Sequence, residues 1–162
     1  MANNYDYFTI NKNIGTLTIH EGTLFIHPDR FRDNKTYSIV NIPSSVTSIG
    51  HRAFLDNYLS SVRLNDGLEI IEECAFCRCG LLKSITIPSS VTSIGKCAFS
   101  NCKKLNSVTF IGDNTTIDKT TFINCNEGNT VSLYCSERFY EKNVQHFPKN
   151  FIRYFLILNN GV

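Results

Sequence analysis

The chain of 162 residues contains no apolar run approaching the ~20 residues that cross a bilayer, so no transmembrane helix is expected. Neither charge is in excess: sixteen Lys and Arg face fourteen Asp and Glu, a net charge of +2, too balanced to predict nucleic-acid binding or membrane adsorption, and no membrane insertion is expected. The opening residues, MANNYDYFTINKN, lack a basic stretch followed by an apolar one, so no secretory leader is expected and an intracellular setting is predicted. There is no G-x-S-x-G, no phosphate-binding Walker loop, no G-x-G-x-x-G and no H-E-x-x-H. What remains is a chain that is 42% hydrophobic and 19% charged, enough apolar material for one sizeable core.

A repeat organises that material. IPSSVTSIGHRAF from Ile42 returns almost unchanged as IPSSVTSIGKCAF from Ile87. Between them lies LNDGLEIIEECAF from Leu64; FIGDNTTIDKTTF follows from Phe110, and an eroded IHEGTLFIHPDRF precedes them from Ile19. One Phe marks each copy: Phe31, Phe54, Phe76, Phe99 and Phe122, at steps of 23, 22, 23 and 23 residues. The short step is a deletion between Phe54 and Leu59. Five coils are therefore expected, over 17–39, 40–61, 62–84, 85–107 and 108–130.

Each coil opens with a short apolar–polar–apolar segment such as Val62-Arg63-Leu64 or Ile85-Thr86-Ile87, the pattern of a strand with one face buried. A turn follows at Pro43-Ser44-Ser45, Asp66-Gly67, Pro88-Ser89-Ser90 or Gly112-Asp113. A second short strand carries Val46 and Ile49, or Val91 and Ile94, inward, and A-F-x-x-C closes the coil as one helical or 3-10 turn. A coil of this length cannot bury its own apolar face, whereas stacked neighbours can. Equivalent residues then form columns, with Ile19, Ile42, Leu64, Ile87 and Phe110 inside.

The motif IPSSVTSIGxxAFxxCxxLxSVTIP, best matched over 85–110, resembles the BspA-like class of leucine-rich repeats, and the resemblance covers roughly 17–130. It implies a mainly β, right-handed parallel β-solenoid of about five 22–23-residue leucine-rich repeats, with short 3-10 or helical turns and a small α/β C-terminal cap. It also implies a role in adhesion or protein recognition.

Both ends are expected to be capped, because a bare solenoid end exposes strand edges and core. Residues 1–16 form the N-terminal cap, with 5–10 (YDYFTI) as its cover. Residues 131–162 form the C-terminal cap: a strand at 131–135, a helix at about 136–145 started by Ser136, and a final strand at about 151–158. That last strand, FIRYFLIL, is apolar enough to serve instead as a docking edge for a partner or a second copy of the chain.

Cys79, Cys102 and Cys125 each follow the repeat Phe by three residues, with Asn57 in the same place, and are expected to form a buried file. Cys74 and Cys97 form a second column, within disulfide reach but predicted to stay reduced; Cys77 and Cys135 belong to no column. Cys74-x-x-Cys77-x-Cys79 has no second ligand pair, so no metal or other cofactor is expected. His51, Glu73 and Lys96 are predicted to stack as a solvated ladder, and no catalytic site is expected. Lys103 and Lys104, with Lys96, Lys83 and Arg78, make one flank mildly basic; without interleaved exposed aromatics it reads as a solvated face.

Another protein is the expected partner, met across columns rather than at one loop. On the first strands the outward column is Thr18, Asn41, Arg63, Thr86 and Thr109. On the second it is Thr47, Glu69, Thr92 and Thr115, beside Phe25, Ser48, Ile70, Ser93 and Thr116. Arg63, Glu69 and Ile70 break the run of Ser and Thr, and so are the candidate contacts along with the first column. Two other readings remain: a flat Thr/Ser lattice that binds ice or glycan, and a Cys-dependent enzyme.

Overall fold

The computed structural model describes residues 7–155. Strand β1 (Phe8–Asn11) comes first. Successive coils then supply pairs of short strands: β2 (Thr16–Ile19) and β3 (Phe25–Ile26), β4 (Ile39–Asn41) and β5 (Ser48–Ile49), β6 (Ser61–Arg63) and β7 (Ile70–Ile71), β8 (Ser84–Ile87) and β9 (Ser93–Ile94), β10 (Ser107–Phe110) and β11 (Thr116–Ile117). A further turn of the spiral begins with β12 (Val131–Cys135), passes through helix α1 (Glu137–Asn143) and a 3-10 segment (Val144–His146), and ends in β13 (Phe151–Phe155). The second strands of the coils form one continuous parallel sheet, β3-β5-β7-β9-β11. The first strands form two sheets, β1-β2-β4-β6 and β8-β10-β12-β13, because the hydrogen-bonded ladder is interrupted between β6 and β8.

Register follows the repeat period. Val40 lies opposite both Leu17 and Val62, and Val108 opposite both Ile85 and Leu133. Between the sheets runs the phenylalanine file. Phe31, Phe54, Phe76, Phe99 and Phe122 are all buried, and their rings stack nearly parallel at 5.2–5.4 Å. Each buried Phe contributes about 1.5–3 kcal/mol by leaving water, and each ring pair adds about 0.5–1.5 kcal/mol. Alongside run Cys79, Cys102 and Cys125, whose thiols donate to the carbonyls of Phe54, Phe76 and Phe99 at 3.3, 3.3 and 3.1 Å. Asn57 makes the same bond to Phe31 O at 2.8 Å. The column of three thiols is thus a ladder of weak donors that ties each coil to the one before it.

The A-F-x-x-C segment makes the i→i+3 bonds of a 3-10 turn, but left-handed residues interrupt it. Ala53 N–H donates to Gly50 O and Leu55 N–H to Arg52 O, while the alternate amides of Arg52, Phe54 and Asp56 donate to Glu73, Ala75 and Cys77 of the next coil. In the next coil the same alternation, completed by Cys79 N–H to Phe76 O, pairs every amide from Ala75 to Cys79. It requires positive φ at two columns: Asp29, Arg52, Cys74 and Cys97 before the Ala position, and Asp33, Asp56, Arg78, Asn101 and Asn124 after the Phe, all between 55° and 61°. Asp and Asn tolerate this conformation; Arg and Cys adopt it at about 1–2 kcal/mol each.

The ends close with aromatic side chains. β1 pairs antiparallel with β2, and Phe8 stands edge-on to Phe31 at 5.0 Å. At the other end Phe139 of α1 stacks on Phe110 at 4.2 Å, and Phe147 and Phe151 pack against Phe122 at 5.9 and 5.5 Å. Ser136 caps the helix by accepting the Phe139 N–H at 3.0 Å. β13 lies parallel to β12. The remainder of the expected last strand, and residues 5 and 6 of the expected N-terminal cover, fall outside the described residues.

Candidate interaction surfaces

The columns expected on the first strands are present but divided. Thr18, Asn41 and Arg63 are exposed and lie in register, extended at one end by Thr9. Thr86 lies beside Thr109, and the file continues through Tyr134 and Tyr154, whose rings stack at 5.3 Å. The ladder interruption separates Arg63 from Thr86. Thr109 is half-buried, as is Leu64 of the expected inner column. Glu69 and Ile70 are exposed on the other sheet, with Ile70 between Ser48 and Ser93. The seven residues therefore occupy two sheet faces rather than one.

Two expectations are corrected. Thr115 does not face solvent: it is 1% exposed, and its hydroxyl donates to Val91 O at 2.7 Å, so Thr116 takes the outward place. His51, Glu73 and Lys96 form no ion-paired ladder; Glu72 instead turns its carboxylate onto the His51 main-chain N–H at 2.8 Å. An amide fixed in the turn is a better-placed donor than a neighbouring solvated side chain.

All seven cysteines are free thiols. Burial first, then the neighbouring Cys97 and Glu73, raise the Cys74 thiol above its ordinary value, the reverse of what a nucleophile needs. Burial pushes Cys77 up to about 11 and Cys79 up to about 12. Among the described residues, no three His, Cys, Asp or Glu side chains converge as a metal site. No helix among them is long and apolar enough to cross a membrane.

A concave surface lies elsewhere, on the loops that lead into the first strands. Nine residue steps separate Phe31 from Val40, Phe76 from Ile85 and Phe99 from Val108, but eight separate Phe54 from Val62, so Tyr58 alone stands where neighbouring coils have two residues. Tyr58 is 52% exposed. On one side of it opens a groove of about 510 Å³ with Asp56, Arg78, Gly80, Leu81, Asn101 and Lys103; on the other lies one of about 260 Å³ with Gly15, Lys35, Tyr37 and Ser38. Tyr58 and Leu81 belong to both. The Lys35 ammonium sits 4.3 Å from the centre of the Tyr58 ring, and Lys35 and Arg78 each bond Asp56 at 3.3 Å. Lys103 pairs with Glu127. The flank expected to lack exposed aromatics thus carries one. The deletion was its signal in the sequence, though the groove itself requires three dimensions.

Stacked coils with two sheet faces and a shared aromatic core define a repeat solenoid. The chain belongs to the BspA-type leucine-rich repeat family: the model described as BspA type Leucine rich repeat region matches residues 4–146 in six copies. Among solved structures, it is similar to a leucine rich cell surface protein from Faecalibacterium prausnitzii, with 27% identity, a TM-score of 0.72, and coverage of 85% of this chain and 36% of that one. The chain thus spans about a third of that protein's length. A T. pallidum leucine-rich repeat protein (24% identity, TM-score 0.64, 79% of this chain and 67% of that one) and the pneumococcal vaccine antigen PcpA (18% identity, TM-score 0.50, 83% and 50%) share the fold. No curated protein matches the chain.

Proposed function

We propose that the protein is a non-catalytic recognition or scaffold module that binds another protein through the outer faces of its coils. The family suggests a protein-interaction or surface-scaffold role. The observation that carries the finer reading is a pair of registered outer columns on the two sheet faces: Arg63 follows Thr18 and Asn41 in one, and Ile70 stands between Ser48 and Ser93 in the other. A rigid sheet presents such side chains at fixed spacing, so little conformational entropy is lost on binding. Thr18, Asn41, Arg63, Thr86, Thr109, Glu69 and Ile70 are the proposed contacts. A flat Thr lattice for ice or glycan is disfavoured by the same Arg63 and Ile70. A reducing, intracellular setting belongs to this reading, one in which the cysteines remain thiols.

Photo-crosslinking in the native cell tests it. A benzophenone side chain placed at Arg63 or Ile70 is expected to give one discrete protein adduct, and one placed at Lys12 none. Equal adducts at all three positions, or none anywhere, would overturn the proposal.

A further inference from the structure

We infer that the double groove around Tyr58 binds an acidic peptide segment of a protein partner, seating one apolar side chain against Tyr58 and Leu81. Three observations place it there. First, the groove is built by a specific change in the repeat: the deletion that leaves Tyr58 alone opens the space, and the first-strand ladder is interrupted between β6 and β8 in the same part of the array. Second, its lining is unbalanced in charge. Lys35, Arg78 and Lys103 face it with one carboxylate, Asp56, which two of those cations already hold. Arg78 keeps 63% of its side chain in solvent, and Glu127, the partner of Lys103, is 61% exposed. Surface pairs of this kind contribute about 0–1 kcal/mol, so a ligand carboxylate can replace or join them at little cost. Third, the floor is apolar and partly preformed: the Tyr58 ring is held by the Lys35 ammonium on one side, and Leu81 lies across the junction of the two halves.

Cations around an apolar seat suit a peptide that alternates carboxylates with one large side chain. A long polyanion is a poorer match. It presents a charge every few ångströms, and this surface offers three cations and one exposed aromatic ring with a chain-wide charge of only +2. The proposal draws on the protein-recognition reading for the class of partner alone. The groove lies on the loops and not on the sheet faces, so the two stand or fall separately.

The test uses the full chain and a fluorescein-labelled octapeptide of Asp and Glu carrying one Phe and one Leu, followed by anisotropy. Saturable binding is expected, weakening at least about tenfold in Tyr58→Ser and in Arg78→Glu, and weakening as salt rises. Arg63→Ala should bind as the unaltered chain does. Amide shifts on titration should centre on Gly80, Leu81 and Asn101, a readout that needs no variant. The inference is overturned by absence of saturation at millimolar peptide, by equal binding of an octapeptide with Gly at the Phe and Leu positions, by shifts confined to the sheet faces, or by a heparin oligosaccharide that binds the groove more tightly than the peptide.

Discussion

Replacing Phe76 by Ala removes the middle ring of the file. Phe76 is fully buried and stacks on Phe54 at 5.2 Å and Phe99 at 5.3 Å, with ring planes within 5° of parallel. Loss of its transfer energy, and the cavity left between two rings held by their own coils, should cost about 3–5 kcal/mol. Phe76→Leu keeps most of the volume and should cost about 1–1.5 kcal/mol. Phe31 lies near the end of the file, stacked on Phe54 alone and met edge-on by Phe8. Nearest-neighbour coupling in an array therefore makes Phe31→Ala the milder change. Urea unfolding followed by circular dichroism measures all three. The Phe76→Ala midpoint should fall with a slope that stays constant or decreases, a decrease reporting coils that unfold independently. A loss below about 1 kcal/mol, or a Phe31→Ala loss exceeding that of Phe76→Ala, would refute the reasoning.

Alkali should destabilise the fold through its buried thiols. Cys77, Cys79 and Cys135 are held at about 11, 12 and 11 against an ordinary 9.0, chiefly by burial. Above that ordinary value the unfolded chain gives up protons that the folded one retains, so stability is intact below it and declines as pH rises toward the folded values; a urea midpoint that does not fall between about pH 8 and 10.5, under reducing conditions, would contradict this. Gly95→Ala should cost about 1–3 kcal/mol in the same assay, because its Cβ would stand 2.6 Å from Glu73 N of the adjacent coil and the ladder cannot open locally; a neutral substitution would show that the coils can move apart. Tyr37→Phe should be neutral or stabilising by up to about 1 kcal/mol, since its buried hydroxyl has no partner among the described residues. A loss larger than that would show that the hydroxyl is bound in solution.

The stacked architecture was legible because its signal is arithmetic. The Phe spacing alone specified which rings would meet, and the Cys79, Cys102 and Cys125 column followed from the same offsets. The left-handed turns were not legible. Asp or Asn stands two residues after the Phe in four of the five coils, a usable sign, but Arg78 at the same column and Arg52, Cys74 and Cys97 at the other obscured it. Thr115 misled because Thr serves equally well outside, as Thr92 does, and inside once its hydroxyl finds a carbonyl. Glu72 and Glu73 are adjacent and alike, and only the turn geometry decides which of them reaches His51 N–H. The Tyr58 groove escaped for a different reason. A one-residue deletion is visible in the sequence, but whether it leaves a bulge or a hollow depends on the loops of two neighbouring coils.

Scalar couplings across hydrogen bonds measure the stacking most directly. The amide nitrogens of Phe54, Phe76 and Phe99 should couple to the carbonyl carbons of Ala75, Ala98 and Thr121, bonds of 2.8, 2.8 and 2.9 Å between coils. Couplings from those three amides to carbonyls three or four residues earlier in their own coils would contradict the registered stack and every surface built on it.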